Sequence, residues 1–140
     1  MGVKLRDGLH WAPLEGATLL HMAVEYYEAE IAQWLIDRGA DVNARAAVDA
    51  EGFGGHTPLF HTTVTLGPKV DTPARLLLRN GADPNARATF RKRLSMMGDV
   101  EKEQLREFHD ATAIDFARQF QEPGWVNEAA IAAIREHGGE

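Results

Sequence analysis

The sequence contains no cysteine, so neither a disulfide framework nor a thiolate metal site is available to it. It also lacks any apolar run of the roughly 20 residues that a membrane-spanning helix requires. Its N-terminus has no basic stretch followed by a long apolar region, which is the pattern of a secretory signal. These absences predict a soluble cytoplasmic protein that makes no contact with a membrane.

Basic residues are fewer than acidic ones: 15 Lys and Arg face 21 Asp and Glu, for a formal net charge of -6. This balance disfavours a general phosphate-binding surface, so nucleic acid is not a predicted partner. The 140 residues amount to one domain, and the hydrophobic fraction of 44% is ordinary for a globular chain. We therefore predict a single domain that spans residues 1–140.

Signatures of catalysis and of metal binding are also missing. Glycines flank Phe53, but this stretch lacks the lysine and the strand-loop-helix setting of a phosphate-binding loop. His10, His56 and His109 fall on successive loops and could line up along one edge, yet no spacing places two histidines on one local scaffold. The prediction is a protein without catalytic residues, metal ligands or cofactors. A metal-dependent or enzymatic protein is the least favoured alternative.

What the sequence does contain is an internal repeat. Residues 17–45 return as residues 56–87, and a more divergent copy occupies residues 111–138. Within a copy, apolar residues recur at the three- and four-residue spacing of a helix with one buried stripe, and a glycine ends the second helix of the first two copies. A unit of this length cannot bury its apolar side alone and must stack on its neighbours.

The repeated units resemble ankyrin repeats of bacterial type, with enlarged hairpin loops. The family's unit consists of two antiparallel helices and a hairpin loop about every 33 residues. The resemblance implies an all-α fold: an ankyrin-repeat solenoid of about three stacked helix-turn-helix units with long β-hairpin-like loops. The matching residues are Thr18, Leu20, His21 and Ala23 in the first unit, Thr57, Pro58 and Leu59 in the second, and the Gly-Ala-Asp-x-Asn runs 39–43 and 81–85. The resemblance implies a structural role for His21, as a hydrogen-bonding group that ties one turn to the next.

The segment before the first unit, residues 1–16, parallels the loop that would follow an absent repeat. Either the chain is an excised part of a longer array, or this segment folds back as an N-terminal cap that uses Leu5, Leu9 and Trp11. Both interpretations stay open at the level of sequence.

Residues 88–110 form the longest insertion between units. Asp99 is placed to cap a helix there, and Leu105 with Phe108 gives that helix a narrow apolar edge. The sequence therefore predicts a long loop that carries a short helix, followed by a C-terminal capping repeat at residues 111–138.

The extra length lies in the loops, which favours a specialised contact surface because insertions in repeat proteins map to one face. The competing interpretation is that surface loops tolerate insertion at a small entropic cost. The resemblance implies a non-catalytic module that binds a protein partner through its inner helices and loop ends. The alternative is a structural fragment of a longer solenoid or a scaffold that self-associates, although a monomer is the expected state.

Candidate contact residues fall into three groups. The resemblance places the family's variable contact positions on six residues, and Phe53 adds an exposed aromatic side chain at a glycine-flanked loop tip. The third group is basic. It is either a contact for an acidic partner or nucleic acid, or the solvated stem of the long loop. The predicted protein-binding residues are Ala17, Glu25, Tyr26, Phe53, His56, Val64, Thr65, Arg91, Lys92 and Arg93.

Overall fold

A computed structural model describes residues 16–94, 104–120 and 123–140. None of the helices in these ranges is long and apolar enough to cross a membrane. The predicted N-terminal cap with Leu5, Leu9 and Trp11 lies outside the described residues. The elements, in chain order, are α1 (Leu19–Glu25), α2 (Ala29–Asp37), α3 (Phe60–Thr63), α4 (Thr72–Arg79), β1 (Ala88–Leu94), β2 (Gln104–Ala111), α5 (Ala113–Gln119), a 3-10 turn (Pro123–Trp125) and α6 (Glu128–Glu136).

The helices pack in two rows. In the inner row α3 lies between α1 and α5, and in the outer row α4 lies between α2 and α6. Side chains from both rows are buried in one continuous core, in which each helix is covered by its neighbours along the row. The largest buried apolar side chains of this core are Leu20, Leu59, Phe60, Leu77, Phe108, Ile131 and Ile134.

Two of the inner helices begin with the same capping device, although their sequences differ. Thr18 accepts a hydrogen bond from the His21 N–H, and the His21 ring accepts one from the Thr18 N–H. At α5, Thr112 and Asp115 exchange the same pair of bonds. Asp115 therefore replaces the motif histidine as a capping group in the divergent third unit. In the second unit α3 is a single turn without a side-chain cap.

Asparagines at the loop ends tie successive units together. The Asn43 side chain donates to the carbonyl oxygen of Gly81 and accepts from the Asp83 N–H. Asn85 repeats this pattern with Gly138 and Glu140. Because each asparagine satisfies one donor and one acceptor of the next loop, the two bridges fix the spacing of the loops.

The predicted all-α fold class is wrong, because the long insertion contains a two-stranded antiparallel sheet. Strand β1 pairs with β2 so that Phe90 lies opposite Phe108 and Leu94 opposite Gln104. The short helix expected here is therefore absent from Gln104–Ala111; its proposed cap, Asp99, lies outside the described residues. The physical reason is the cross-strand packing of Phe90 on Phe108, whose ring centroids are 5.2 Å apart in a stacked arrangement.

Candidate functional site

The inner helix row and strand β1 enclose a pocket that we call the histidine pocket. Its volume is about 350 Å³ including the open mouth. Helices α1, α3 and α5, the loop before α3 and strand β1 all contribute to its walls. The lining residues are Glu25, His56, Phe60, His61, Val64, Phe90, Lys92 and Phe116. Four of them, Glu25, His56, Val64 and Lys92, are predicted contact residues.

Three histidine rings cluster at the pocket wall. The ring centroids of His21, His56 and His61 are 5.2 to 5.7 Å apart. Burial, reinforced by the neighbouring His61 ring, lowers the pKa of His21 to about 4 and that of His56 to about 2. Both rings are therefore neutral at pH 7.

His21 has a fixed tautomer and a structural role. Its Nδ1 accepts a hydrogen bond from the Thr18 N–H at 3.1 Å, so the ring proton resides on Nε2. Nε2 then donates to the carbonyl oxygen of His56 at 2.9 Å and links α1 to the loop of the next unit. This bond confirms the structural role expected of the motif histidine and removes it from the candidate ligands.

His61 and Glu25 form a buried pair that joins neighbouring units. His61 Nδ1 lies 2.6 Å from Glu25 Oε2, and the two side chains are only 10% and 7% exposed. Within the part of the chain that the structure describes, the other ring nitrogen of His61, Nε2, has no hydrogen-bond partner, and the same is true of His56 Nδ1. No group of three or more histidine or carboxylate side chains in the described ranges is arranged to hold a metal ion.

Lys92 belongs to the pocket and not to a solvated loop stem. Its residue is 7% exposed, and its Nζ lies 5.5 Å from the ring centroid of Phe116 and 5.4 Å from that of Phe120. Burial lowers the pKa of Lys92, and the charge of Glu25 opposes this shift. The solvated-stem interpretation is therefore wrong for this residue, because strand alternation turns Lys92 inward and Arg91 to the other face.

Arg91 joins the loop before α3 to strand β1. Its guanidinium lies 2.9 Å from carboxylate oxygens of both Asp49 and Glu51 and 4.0 Å above the Phe53 ring centroid. The Phe53 ring also meets the His109 ring edge to face at 6.0 Å. We call Asp49, Glu51, Phe53, Arg91 and His109 the loop–sheet surface. Phe53 was expected to be exposed, but it is half-buried because Arg91 covers its ring.

A glycine allows the loop and the strand to approach closely. Gly54 has φ +139, and a Cβ atom at this position would lie 2.1 Å from the Ala47 carbonyl oxygen. Its N–H donates to the Thr89 carbonyl oxygen at 2.8 Å, which attaches the loop to the edge of β1. A side chain at residue 54 would therefore break the backbone link that supports the loop–sheet surface.

The remaining predicted contact residues are placed unevenly. Ala17 and Tyr26 are half-buried at the two ends of α1, whereas Val64 and Thr65 are buried after α3. The Thr65 hydroxyl accepts from the Gly67 N–H, so this side chain supports a turn and offers no exposed contact. The Arg93 side chain lies outside the described atoms.

His61 is the polar pocket residue that sequence reasoning missed. Its partner Glu25 lies 36 positions earlier in the chain, in the preceding unit. No spacing within a single repeat links two residues so far apart, and the first unit has Met22 at the corresponding position. The pair forms only when the units stack.

One segment of the chain matches a known family. Residues 15–47 match the model of the ankyrin repeat, which corresponds to the first unit with α1 and α2. The match concerns one repeat and carries no information on a bacterial type or on the enlarged loops. No solved structure matches the chain. Ankyrin repeats are typically non-catalytic modules for protein–protein interaction, and this is the class of function that the match indicates.

Proposed function

We propose that the chain is a non-catalytic module that binds a protein partner through the loop–sheet surface and the adjoining inner helices. The observation that carries the proposal is the attachment of the loop to β1 by Arg91, which bonds to Asp49 and Glu51 and covers Phe53. The proposal includes a cytoplasmic monomer, with which the cysteine-free sequence is compatible.

A loop held in this way is well suited to binding. Asp49 accepts hydrogen bonds from the N–H groups of Glu51 and Phe53, and its own N–H donates to the Phe53 carbonyl oxygen. The loop tip is therefore ordered before a partner arrives. Binding of a pre-ordered loop loses less conformational entropy, which leaves more of the contact energy for affinity.

The contact chemistry of this surface is mixed. Phe53 and Arg91 present an aromatic ring and a guanidinium, two groups that dominate many protein interfaces. The carboxylates of Asp49 and Glu51 lie at their edge. A partner with a small apolar anchor surrounded by polar groups of both charges fits this arrangement.

Capture of a partner from the native source tests the proposal. Wild-type protein and the Phe53→Ala and Tyr26→Ala variants serve as baits, with unchanged circular dichroism as the condition for comparison. Loss of an interface anchor costs about 2 kcal/mol or more, so we expect the Phe53→Ala variant to bind the captured partner about 30-fold more weakly.

The chain supplies a matched control for this experiment. Trp34 on α2 is also covered by an arginine, with the Arg38 guanidinium 3.7 Å from its ring centroid, but α2 belongs to the outer row. Trp34→Ala therefore removes an aromatic–arginine pair from a different face. Equal binding by the wild type, Phe53→Ala and Tyr26→Ala would show that the loop–sheet surface is not the binding site. Loss of binding in Trp34→Ala alone would show the same.

A further inference from the structure

The geometry points to a carboxylate-binding site in the histidine pocket, formed by the Lys92 ammonium and the unpartnered ring nitrogens of His56 and His61. Where the carboxylate belongs to an acidic side chain of a partner, the inference rests on the proposed function and names the chemistry of one contact. Where it belongs to a free small molecule, the inference stands apart from that function.

The unpartnered nitrogens are the first observation. His56 is 6% exposed, lines the pocket and leaves Nδ1 without a hydrogen bond to any described residue. His61 lines the same pocket and leaves Nε2 in the same condition. Buried polar atoms nearly always have a partner, because an unsatisfied one destabilises the fold. A group bound in the pocket satisfies both nitrogens at once.

The Lys92 ammonium is the second observation. It lies over the rings of Phe116 and Phe120 and in the field of Glu25, but no hydrogen bond or ion pair joins its Nζ to another residue in the described ranges. An ammonium carries three N–H donors, and a buried charge is costly unless it is hydrogen-bonded as well as paired. An oxygen ligand with a negative charge supplies the hydrogen-bond acceptor and the counter-charge that the phenyl rings lack.

Other ligand classes fit the pocket less well. A cation would be repelled by Lys92, whose ammonium already lies over the aromatic rings. An apolar group would leave the ammonium and both ring nitrogens without partners. Glu25 also lines the pocket, and its Oε2 accepts a hydrogen bond from His61 Nδ1.

A carboxylate uses the donors that remain. One oxygen accepts from Lys92, and the other accepts from His56 in the tautomer that carries its proton on Nδ1. Since His61 Nδ1 donates to Glu25, the imidazolium form of His61 places a further N–H on Nε2 and completes the set. The narrow pocket suits a small head group that enters from the open mouth, and the carboxylate of acetate or of an aspartate side chain is the smallest of this class.

Titration with acetate tests the site without a partner protein. Sodium acetate is added against sodium chloride at constant ionic strength and pH 7, and the ring resonances of the histidines are followed by NMR. We expect saturable shifts at His56 and His61. Lys92→Met keeps the apolar stem and removes the charge, so we expect at least about tenfold weaker acetate binding. Lys69→Met, which removes an exposed lysine, serves as the matched control with unchanged affinity.

A second variant and a second probe complete the design. His56→Phe keeps a ring next to Phe60 and Phe90 while it removes Nδ1, and at least about tenfold weaker binding is again expected. A glycine-flanked peptide with one aspartate is compared with acetate. Binding of the peptide assigns the carboxylate to a partner, and binding of acetate alone assigns it to a free small molecule. Absence of saturable shifts in the wild type, or unchanged acetate affinity in Lys92→Met and His56→Phe, would overturn the inference even if Phe53 proved essential for partner capture.

Discussion

At the residue scale, position in the stack decides what each histidine does. His21 occupies the motif position that sequence reasoning assigned to structure, and its two ring nitrogens are both used, one for the helix cap and one for the next loop. His56 and His61 each keep one ring nitrogen that has no hydrogen-bond partner among the described residues. The sequence predicts the first role, because the capping partners are three positions apart in the chain. It does not predict the pocket, because Glu25 and His61 come from different units.

The buried histidines predict a loss of stability in acid. The folded-state pKa values of about 4 for His21 and about 2 for His56 lie below the ordinary value of 6.5. Between pH 6.5 and pH 4 the unfolded chain therefore binds protons that the folded chain does not. The free energy of unfolding therefore keeps its full value above pH 6.5. Below that pH it falls by about 1.4 kcal/mol per pH unit for each histidine.

Urea unfolding followed by circular dichroism between pH 7 and pH 5 measures this slope. His56→Phe removes one of the two groups and is expected to reduce the pH dependence by about half. His109→Gln, at a side chain that is 65% exposed, is expected to leave it unchanged. A slope in the His56→Phe variant equal to that of the wild type would contradict the buried neutral state of His56.

Lys92 is expected to lower the free energy of unfolding while it strengthens the binding of a carboxylate. Replacement of a buried charge that has no hydrogen-bonded partner by an apolar side chain of similar shape relieves the desolvation cost of that charge. We therefore expect Lys92→Met to raise the free energy of unfolding in chloride buffer by about 1 kcal/mol or more, whereas exposed Lys69→Met stays within about 0.5 kcal/mol of the wild type. A clear loss of stability in Lys92→Met would show that the ammonium has a stabilising partner.

At the element scale, the helices were easier to predict than the strands. The caps at Thr18 and Thr112 and the glycines that end α2 and α4 are local signals, and the corresponding helices are present. Strand β1 alternates between buried and half-exposed residues, but one of the buried residues is Lys92. Because lysine is charged, the hydrophobicity of the sequence does not show this alternation. The spacing of Leu105 and Phe108 then favours a helix, although Phe108 pairs with Phe90 across the sheet.

The strand pairing makes Phe108 a core residue of the inserted segment. Its side chain is 1% exposed and packs on Phe90 and Phe116, with ring centroids 5.2 and 4.8 Å apart. We expect Phe108→Ala to lower the free energy of unfolding by about 3 to 5 kcal/mol, measured by urea denaturation. Phe53→Ala, at a half-buried ring, is the control and is expected to have a clearly smaller effect. Equal effects in the two variants would argue against the sheet as part of the core.

At the scale of the whole molecule, the inner helix row and the sheet meet on one side. Helices α1, α3 and α5 contribute to the histidine pocket together with β1, and β1 also carries Arg91 on its other face. The internal repeat predicts that units stack, and the asparagine bridges at Asn43 and Asn85 follow from it. The repeat does not predict the sheet, because residues 88–110 have no counterpart in the other units.

The central claim is that this side of the molecule binds the protein partner. It is tested most directly by NMR, from the changes in amide chemical shifts when the captured partner is added to the labelled chain. The account predicts that the affected amides cluster at residues 47–56, at Thr89 and Arg91, and at the end of α1, while those around Ile31 and Trp34 on α2 stay unchanged. Perturbations confined to α2 and the outer row would contradict it.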